Sequence, residues 1–301
     1  MALSRNDKIL THLTRDMKIV EIGPSYSPVV HRSQGWNVFS LDHLDAEGLR
    51  KKYAHDPNVD PAMIEEVDFI WHDGPLDSAI TNNHRGTFDG VIASHVIEHF
   101  PDLLGFFLAA GRMLKPHGIL SLAVPDKRFC FDYFQSVSLT ADVLEAHSKR
   151  RNRHSRKTAF NATAYTVKSA DRISWSIGKT AGLAFALPDS LRSGHNQYVA
   201  ETDTADPYLD FHGWYFTPSS FRLISLELAA LGLMPFSEIG FYNTTDNEFF
   251  VTLWKTEKPD LANLDDRRMN YLKAILLEIR EQTDYLIDGS NYLGGATHNP
   301  R

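Results

Sequence analysis

The sequence predicts an α/β fold: a doubly wound, mostly parallel sheet with a lid inserted after the fifth strand and a helical C-terminal tail. Three observations carry this. Five short apolar runs, at 19–22, 38–41, 67–71, 88–93 and 119–124, each close on polar or turn residues, and helical or loop stretches separate them. That alternation belongs to parallel strands joined by right-handed crossovers. Two later runs, 236–242 and 248–254, read as a closing antiparallel pair and bring the sheet to seven strands.

The elements follow in order. Residues 1–16 read as a short polar helix. The stretch 18–42 (KIVEIGPSYSPVVHRSQGWNVFSLD) reads as strand, Ser/Pro-rich turn, short helix and strand, with Asp42 at the second strand's tip. That spacing suits a βαβ unit that binds a nucleoside, because the turn lets backbone N–H groups approach a ligand and the acid accepts hydrogen bonds from ribose hydroxyls. Residues 46–53 have helix-forming composition, and 54–62, with Pro57 and Pro61, read as loop. The third strand closes on His72-Asp73-Gly74-Pro75, and the fourth runs into Ser94-His95-Val96-Ile97-Glu98-His99. An amphipathic helix at 103–114 stops at Lys115-Pro116-His117-Gly118. From 127 to 212 the alternation is absent, and a basic run occupies 149–157. Thr217 as N-cap with Pro218 behind it opens a helix that Gly232 ends. A long helix is expected over 261–287, with a polar end from 288 to 301. The domain reading is 1–126 and 213–258 for the two parts of one cofactor-binding domain, 127–212 for the lid over the acceptor, and 259–301 for the tail.

Composition narrows the partner classes. The chain has 301 residues, 43% hydrophobic and 23% charged, as in an ordinary globular protein. A formal charge of -7 argues against nucleic acid as the main partner. Cys130 is the single cysteine, so an intramolecular disulfide and a multi-thiolate zinc site are both excluded. The N-terminal stretch lacks a secretion-type apolar core, and no apolar run approaches the roughly 20 residues that span a bilayer. A soluble, cytoplasmic chain is expected.

Taken together, Val20-Glu21-Ile22-Gly23, Asp42, Asp73, the run from Phe88-Asp89-Gly90-Val91-Ile92 through His99, and 114–120 (LKPHGIL) resemble the class I S-adenosylmethionine-dependent methyltransferases of small-molecule type. Pro125-Asp126-Lys127-Arg128 and 212–218 (HGWYFTP) are also similar to a subgroup found with glycan-assembly enzymes. The resemblance implies a Rossmann-like fold with S-adenosyl-L-methionine as cofactor. It implies that Glu21, Gly23, Pro24 and Ser25 hold the methionine end, Asp42 and His43 the ribose, and Asp73 and Gly74 the adenine. Ser94, His95 and His99 would line the sulfonium region. The family's first loop usually carries two or three glycines; here only Gly23 is present.

For the acceptor side, His212 is the candidate general base, since an imidazole takes a hydroxyl proton near neutral pH, and Asp210 is its candidate orienting acid. Arg128, Tyr133, Trp214 and Tyr215 are candidate contacts to a small-molecule or saccharide acceptor. The expected reaction is O-methyl transfer. Two other readings stand beside it: a non-catalytic nucleotide-binding scaffold, and a nucleic-acid methyltransferase using 149–157. The pattern His95-x-x-Glu98-His99 also reads as an inverted zinc-peptidase motif, which requires a helix with both histidines on one face and a third ligand. The preceding strand favours a cofactor pocket, and no metal is expected.

Overall fold

The computed structural model describes residues 3–180, 182–200 and 209–288. It opens with α1 (Arg5–Ile9), whose N-cap Ser4 forms a capping box with Asp7. Strands β1 (Ile19–Ile22) and β2 (Val38–Asp42) follow, then α2 (Ala46–Lys52), β3 (Phe69–Ile70) and β4 (Phe88–Ser94). Next come α3 (Leu103–Met113) and β5 (Leu114–Pro125). The insertion carries α4 (Thr140–Ser148), α5 (Arg156–Ala164), β6 (Val167–Ser169), β7 (Leu183–Phe185) and α6 (Ser190–Val199). The main sheet resumes through α7 (Pro218–Ala230), β8 (Phe236–Thr245) and β9 (Glu248–Lys255), and α8 (Leu264–Asp288) ends the described chain.

The seven-stranded sheet has the order β3-β2-β1-β4-β5-β9-β8. β1 through β5 are parallel, and β9 runs antiparallel to both β5 and β8. Strand order reverses between β1 and β4, so the crevice at their carboxyl ends is the topological switch point where ligands bind in open α/β sheets. Alternation along the strands fills both faces. Val20, Ile22, Leu120, Leu122 and Val251 join the core beneath α3 and α7, while Ile19, Ile92, Ala123 and Phe250 pack with Ile9 of α1.

Local differences from the sequence reading have physical causes. The crossover from β1 to β2 holds a single 3-10 turn, Arg32–Gln34, because Pro28 precedes it and Gly35, at φ +81, ends it. Helix α3 stops at Met113, but the backbone from Leu114 is already extended. Leu114 pairs with Phe88, pairing resumes at Gly90 with Ile119, and the intervening turn bulges with His117 at φ +63. The expected helix start after β4 is absent. His95 takes φ +54 and the chain makes one 3-10 turn at Ile97–His99. The expected polar end 288–301 lies almost wholly outside the described residues, as does part of the Gly/Pro/Asp-rich run before Asp210.

Helix α8 packs on α7 and is locked to the start of the insertion. Arg128 makes a bidentate pair with Asp126 (Nε–Oδ1 2.9 Å, Nη2–Oδ2 2.6 Å) and reaches Glu281 of α8 at 2.6 Å. Lys127 Nζ donates to the Tyr133 carbonyl and to Gln282, and the Tyr133 hydroxyl donates to the Gln282 carbonyl. Burial lowers Lys127 to about 8. The Asp126 carboxylate is fully buried, so truncating its partner strands a charge. Arg128→Ala is therefore expected to lower unfolding free energy by about 3–5 kcal/mol in urea denaturation. A loss below about 1 kcal/mol would show that Thr244 and the backbone N–H of residue 128, which also donate to Asp126, suffice.

Candidate active site

Three strand ends build the crevice. At the end of β1 the chain turns through Gly23, whose φ is +61 and whose missing Cβ would sit 3.1 Å from Val96 Cγ2. Glycine is required there on both counts. Glu21 is buried inside the strand. Its Oε1 accepts from Val29 N–H at 2.7 Å and its Oε2 from Val30 N–H at 3.3 Å. Glu21 thus shapes the loop 24–30 from beneath. Ser25, at φ +49, turns its N–H onto Asp42 Oδ2 at 2.9 Å. Asp42 Oδ1 accepts from the His43 N–H at 2.7 Å and meets His43 Nδ1 at 2.6 Å. A carboxylate has about four acceptor sites, so Asp42 keeps capacity beyond these three contacts.

The loop of Pro24 and Ser25 therefore closes without further glycines, because two strand-end carboxylates hold its N–H groups. Past β3, Asp73 and Gly74 are exposed, and the Trp71 indole, missed in the sequence, donates to Gly74 O at 3.2 Å and stacks near Phe100. Its apolar character inside a strand run concealed it.

A histidine–carboxylate cluster lies where β4 and β9 meet the insertion. Ser94 Oγ accepts from Arg5 at 2.7 Å, and Arg5 also pairs with Glu248 at the start of β9. His95 Nε2 lies 2.9 Å from Glu248. Burial pushes the His95 imidazole down, but Glu248 and Glu98 outweigh it and hold its pKa above the ordinary value. His99 Nδ1 lies 2.8 Å from Asp210, and that contact outweighs burial and lowers the Asp210 pKa to about 2. His212 is buried, its Nδ1 2.6 Å from Asp132, with its ring packed on Phe131 and edge-on to His99. Burial opposes its charge, but Asp132 and Glu98 prevail and raise its pKa. His154 also enters from the basic run, lowered to about 4 mainly by burial and by the neighbouring His99. Gly213 lets it in: a Cβ there would stand 2.9 Å from His154 Cε1.

Several expected roles change place. Asp132, not Asp210, orients His212; Asp210 belongs to His99. Asp210 stands next but one to His212 in the chain, whereas Asp132 lies 80 residues away, so nearness in sequence points to the acid that does not hold it. Arg128 and Tyr133 do not face an acceptor with free polar groups: Asp126 and Glu281 occupy the guanidinium, and Gln282 takes the phenol. Tyr133 and Lys127 instead line a cavity of about 440 Å³ between the insertion and α8. Trp214 is buried, with its indole N–H on the Phe100 carbonyl at 2.6 Å, which anchors the returning chain. Tyr215 is buried beside it, and its hydroxyl finds no hydrogen-bond partner among the described residues. In the basic run, Lys149 and Arg151 pair with Glu145 of α4. The inverted zinc-peptidase reading fails on its helix, because the segment is a strand end and a 3-10 turn.

Glu21 gives a pH test of this geometry. Burial raises its pKa from 4.5 to about 7 despite the two N–H donors. A raised acid keeps its proton in the folded state while the unfolded chain loses it, so its contribution is present below pH 4.5 and lost as pH rises through about 7. Relative to Glu21→Gln, the wild-type chain should lose up to ~3 kcal/mol over that window in urea denaturation. A constant difference would mean that the loop N–H groups keep Glu21 ionised throughout.

The crevice fits a nucleoside cofactor on two grounds: the tight, positive-φ turn at Gly23, and the buried Asp42 at the tip of β2. Among the described residues, no helix is long and apolar enough to cross a membrane. A family model described as a methyltransferase domain matches residues 4–184. No curated protein matches the chain. Among solved structures, the chain is similar to an S-adenosylmethionine-dependent methyltransferase from Methanosarcina mazei, with 14% identity, coverage of 85% of this chain and 99% of that one, and a TM-score of 0.41. It is similar to another such methyltransferase from Aquifex aeolicus, with 10% identity, coverage of 84% and 90%, and a TM-score of 0.41. A third similar structure is the CcbJ methyltransferase from Streptomyces caelestis, with 10% identity, coverage of 84% and 97%, and a TM-score of 0.42. The family match covers more than half of the chain, which belongs to the methyltransferase domain family and is a class I S-adenosylmethionine-dependent methyltransferase.

Proposed function

We propose that the chain O-methylates a hydroxyl of a saccharide, a glycan precursor or another small polar acceptor. One observation carries this reading: the buried His212, held by Asp132 at 2.6 Å, turns its other ring nitrogen toward the turn that follows β4, 3.9 Å from Glu98. When bound, S-adenosylmethionine supplies a methyl group already activated on a sulfonium. Gly23, Ser25, Asp42, His43, Asp73, Ser94 and His95 are the residues that would hold it, with Glu21 acting through the loop.

The chain's own work is alignment and proton handling. Asp132 accepts the Nδ1–H of His212, fixes that tautomer and leaves Nε2 able to act on an acceptor hydroxyl. Groups that face a hydroxyl in this way contribute on the order of 10² to 10⁴ in rate. The insertion, anchored by Trp214 to Phe100 and by Arg128 to α8, covers this edge of the sheet and limits water. Lys149 and Arg151 are paired within the insertion, which weakens the nucleic-acid reading.

Calorimetric titration with S-adenosylhomocysteine should show one site per chain. Asp42→Ala should weaken that binding by at least about 1–2 kcal/mol, since it removes both a ribose acceptor and the anchor of Ser25. Unchanged affinity would remove Asp42 from the site. His212→Asn should cut turnover on a hydroxyl acceptor by roughly 10² or more while S-adenosylhomocysteine affinity stays within about twofold. Turnover at the wild-type level would dispose of the role given to His212.

A further inference from the structure

The centre of the histidine cluster is Glu98, whose side chain is completely buried. Neither of its carboxylate oxygens accepts a hydrogen bond from any described residue. Three imidazole nitrogens face its Oε1 instead: His95 Nδ1 at 3.8 Å, His99 Nε2 at 3.9 Å and His212 Nε2 at 3.9 Å. These separations are too long for direct hydrogen bonds. The ligating atoms of Glu98, His99 and His212 all lie within 4.8 Å of one another.

The opposite nitrogen of each ring is already committed. Glu248 takes His95 Nε2 at 2.9 Å, Asp210 takes His99 Nδ1 at 2.8 Å, and Asp132 takes His212 Nδ1 at 2.6 Å. A neutral imidazole that donates outward to a carboxylate turns a lone pair inward. In that neutral form the inward nitrogens of His95 and His212 and the Glu98 carboxylate, which no described residue hydrogen-bonds, face one another as acceptors, whereas a second proton on either ring turns an N–H toward Glu98. The all-acceptor form is costly when buried, and a cation relieves it. An outer carboxylate on each ring is also the arrangement that fixes tautomer and orientation in metal-ligating histidines.

We propose that Glu98, His99 and His212, with His95 adjoining, bind a divalent first-row transition metal ion. Imidazole nitrogens with one carboxylate suit zinc, manganese, cobalt or nickel, whereas calcium and magnesium take oxygen donors. Ligand atoms around a tetrahedral ion with bonds near 2.0–2.1 Å stand about 3.4 Å apart, so the two Glu98–imidazole separations of 3.9 Å must close by about half an ångström, and the widest pair, within 4.8 Å, by up to about 1.4 Å. The inference departs from the expectation of a metal-free site. The helical spacing of a zinc peptidase is absent; instead a strand end, a 3-10 turn and the insertion's return bring the ligands together.

Three protein ligands leave positions for an exchangeable oxygen ligand. In its bearing on the acceptor, the inference rests on the proposed O-methyl transfer: the ligand would be an acceptor hydroxyl, on which His212 acts through the ion. Metal binding itself stands on the cluster alone, and its test uses neither methyl donor nor acceptor.

The experiment is titration of the chelator-treated full chain with Co²⁺, read by visible absorption, and with Zn²⁺ in competition with a chelating dye. The expected result is one ion per chain, at micromolar or tighter dissociation constant. Glu98→Gln and His212→Asn should each weaken binding at least tenfold, and His55→Ala, in an exposed loop, should leave it unchanged. Circular dichroism checks that each variant is folded. Should Glu98→Gln fail to fold, His212→Asn and wild-type stoichiometry decide the matter. Absence of stoichiometric binding by the wild-type chain would overturn the proposal and mean that protons fill the centre. Equal binding by both folded variants would also overturn it. Either result would leave S-adenosylhomocysteine binding, and the methyl-transfer reading, to be judged separately.

Discussion

A carboxylate cannot be buried at a strand end without something to neutralise or hydrogen-bond it, and this constraint organises the active edge of the molecule. Each buried acid there draws a loop into place. Glu21 gathers the N–H groups of Val29 and Val30, and Asp42 takes those of Ser25 and His43. Asp126 holds Arg128 and through it α8, and Asp132 holds His212. The loops at this edge are irregular, yet their course follows from where these acids stand.

The same constraint explains how a loop poor in glycine closes over a nucleotide crevice. Glycine is needed where φ is positive and a side chain would collide, and Gly23 meets both conditions against Val96. Ser25 also adopts a positive φ, but its N–H bond to Asp42 compensates for the strain. Pro24 and Pro28 restrict the rest of the turn and lower the entropy lost on ordering it. The departure from a glycine-rich loop is thus matched by two acids placed beneath it.

Helix α8 and the insertion behave as one support for the cluster. Arg128 and Tyr133, which in sequence were candidate acceptor contacts, join Lys127 in connecting the end of β5 to Glu281 and Gln282. Their polarity is internal, and it secures the segment carrying Asp132. His154 arrives from a basic stretch that composition alone marks as surface. Its neighbours in sequence are charged and solvated, while it packs against the backbone of Gly213 beside His99 and His212.

Strand runs, their order and the closing antiparallel pair were legible in the sequence because each depends on local alternation of apolar residues and on turn chemistry within a few positions. So were Gly23, Asp42 and the histidines after β4, since they sit at strand ends whose positions the periodicity marks. The partners of those histidines were not legible. In one dimension only Asp210 stands beside His212, and the path of the insertion decides that Asp132 reaches His212 while Asp210 reaches His99. The convergence of Glu98, His99 and His212 was hidden for the same reason: a His-x-x-Glu-His spacing implies a helix, but the chain forms a strand end and a tight turn. By itself the sequence determined the run of strands, their parallel winding and the closing antiparallel pair, because those follow from short-range pattern. Tertiary structure alone decided which charges meet, because burial and pairing depend on segments that lie many residues apart.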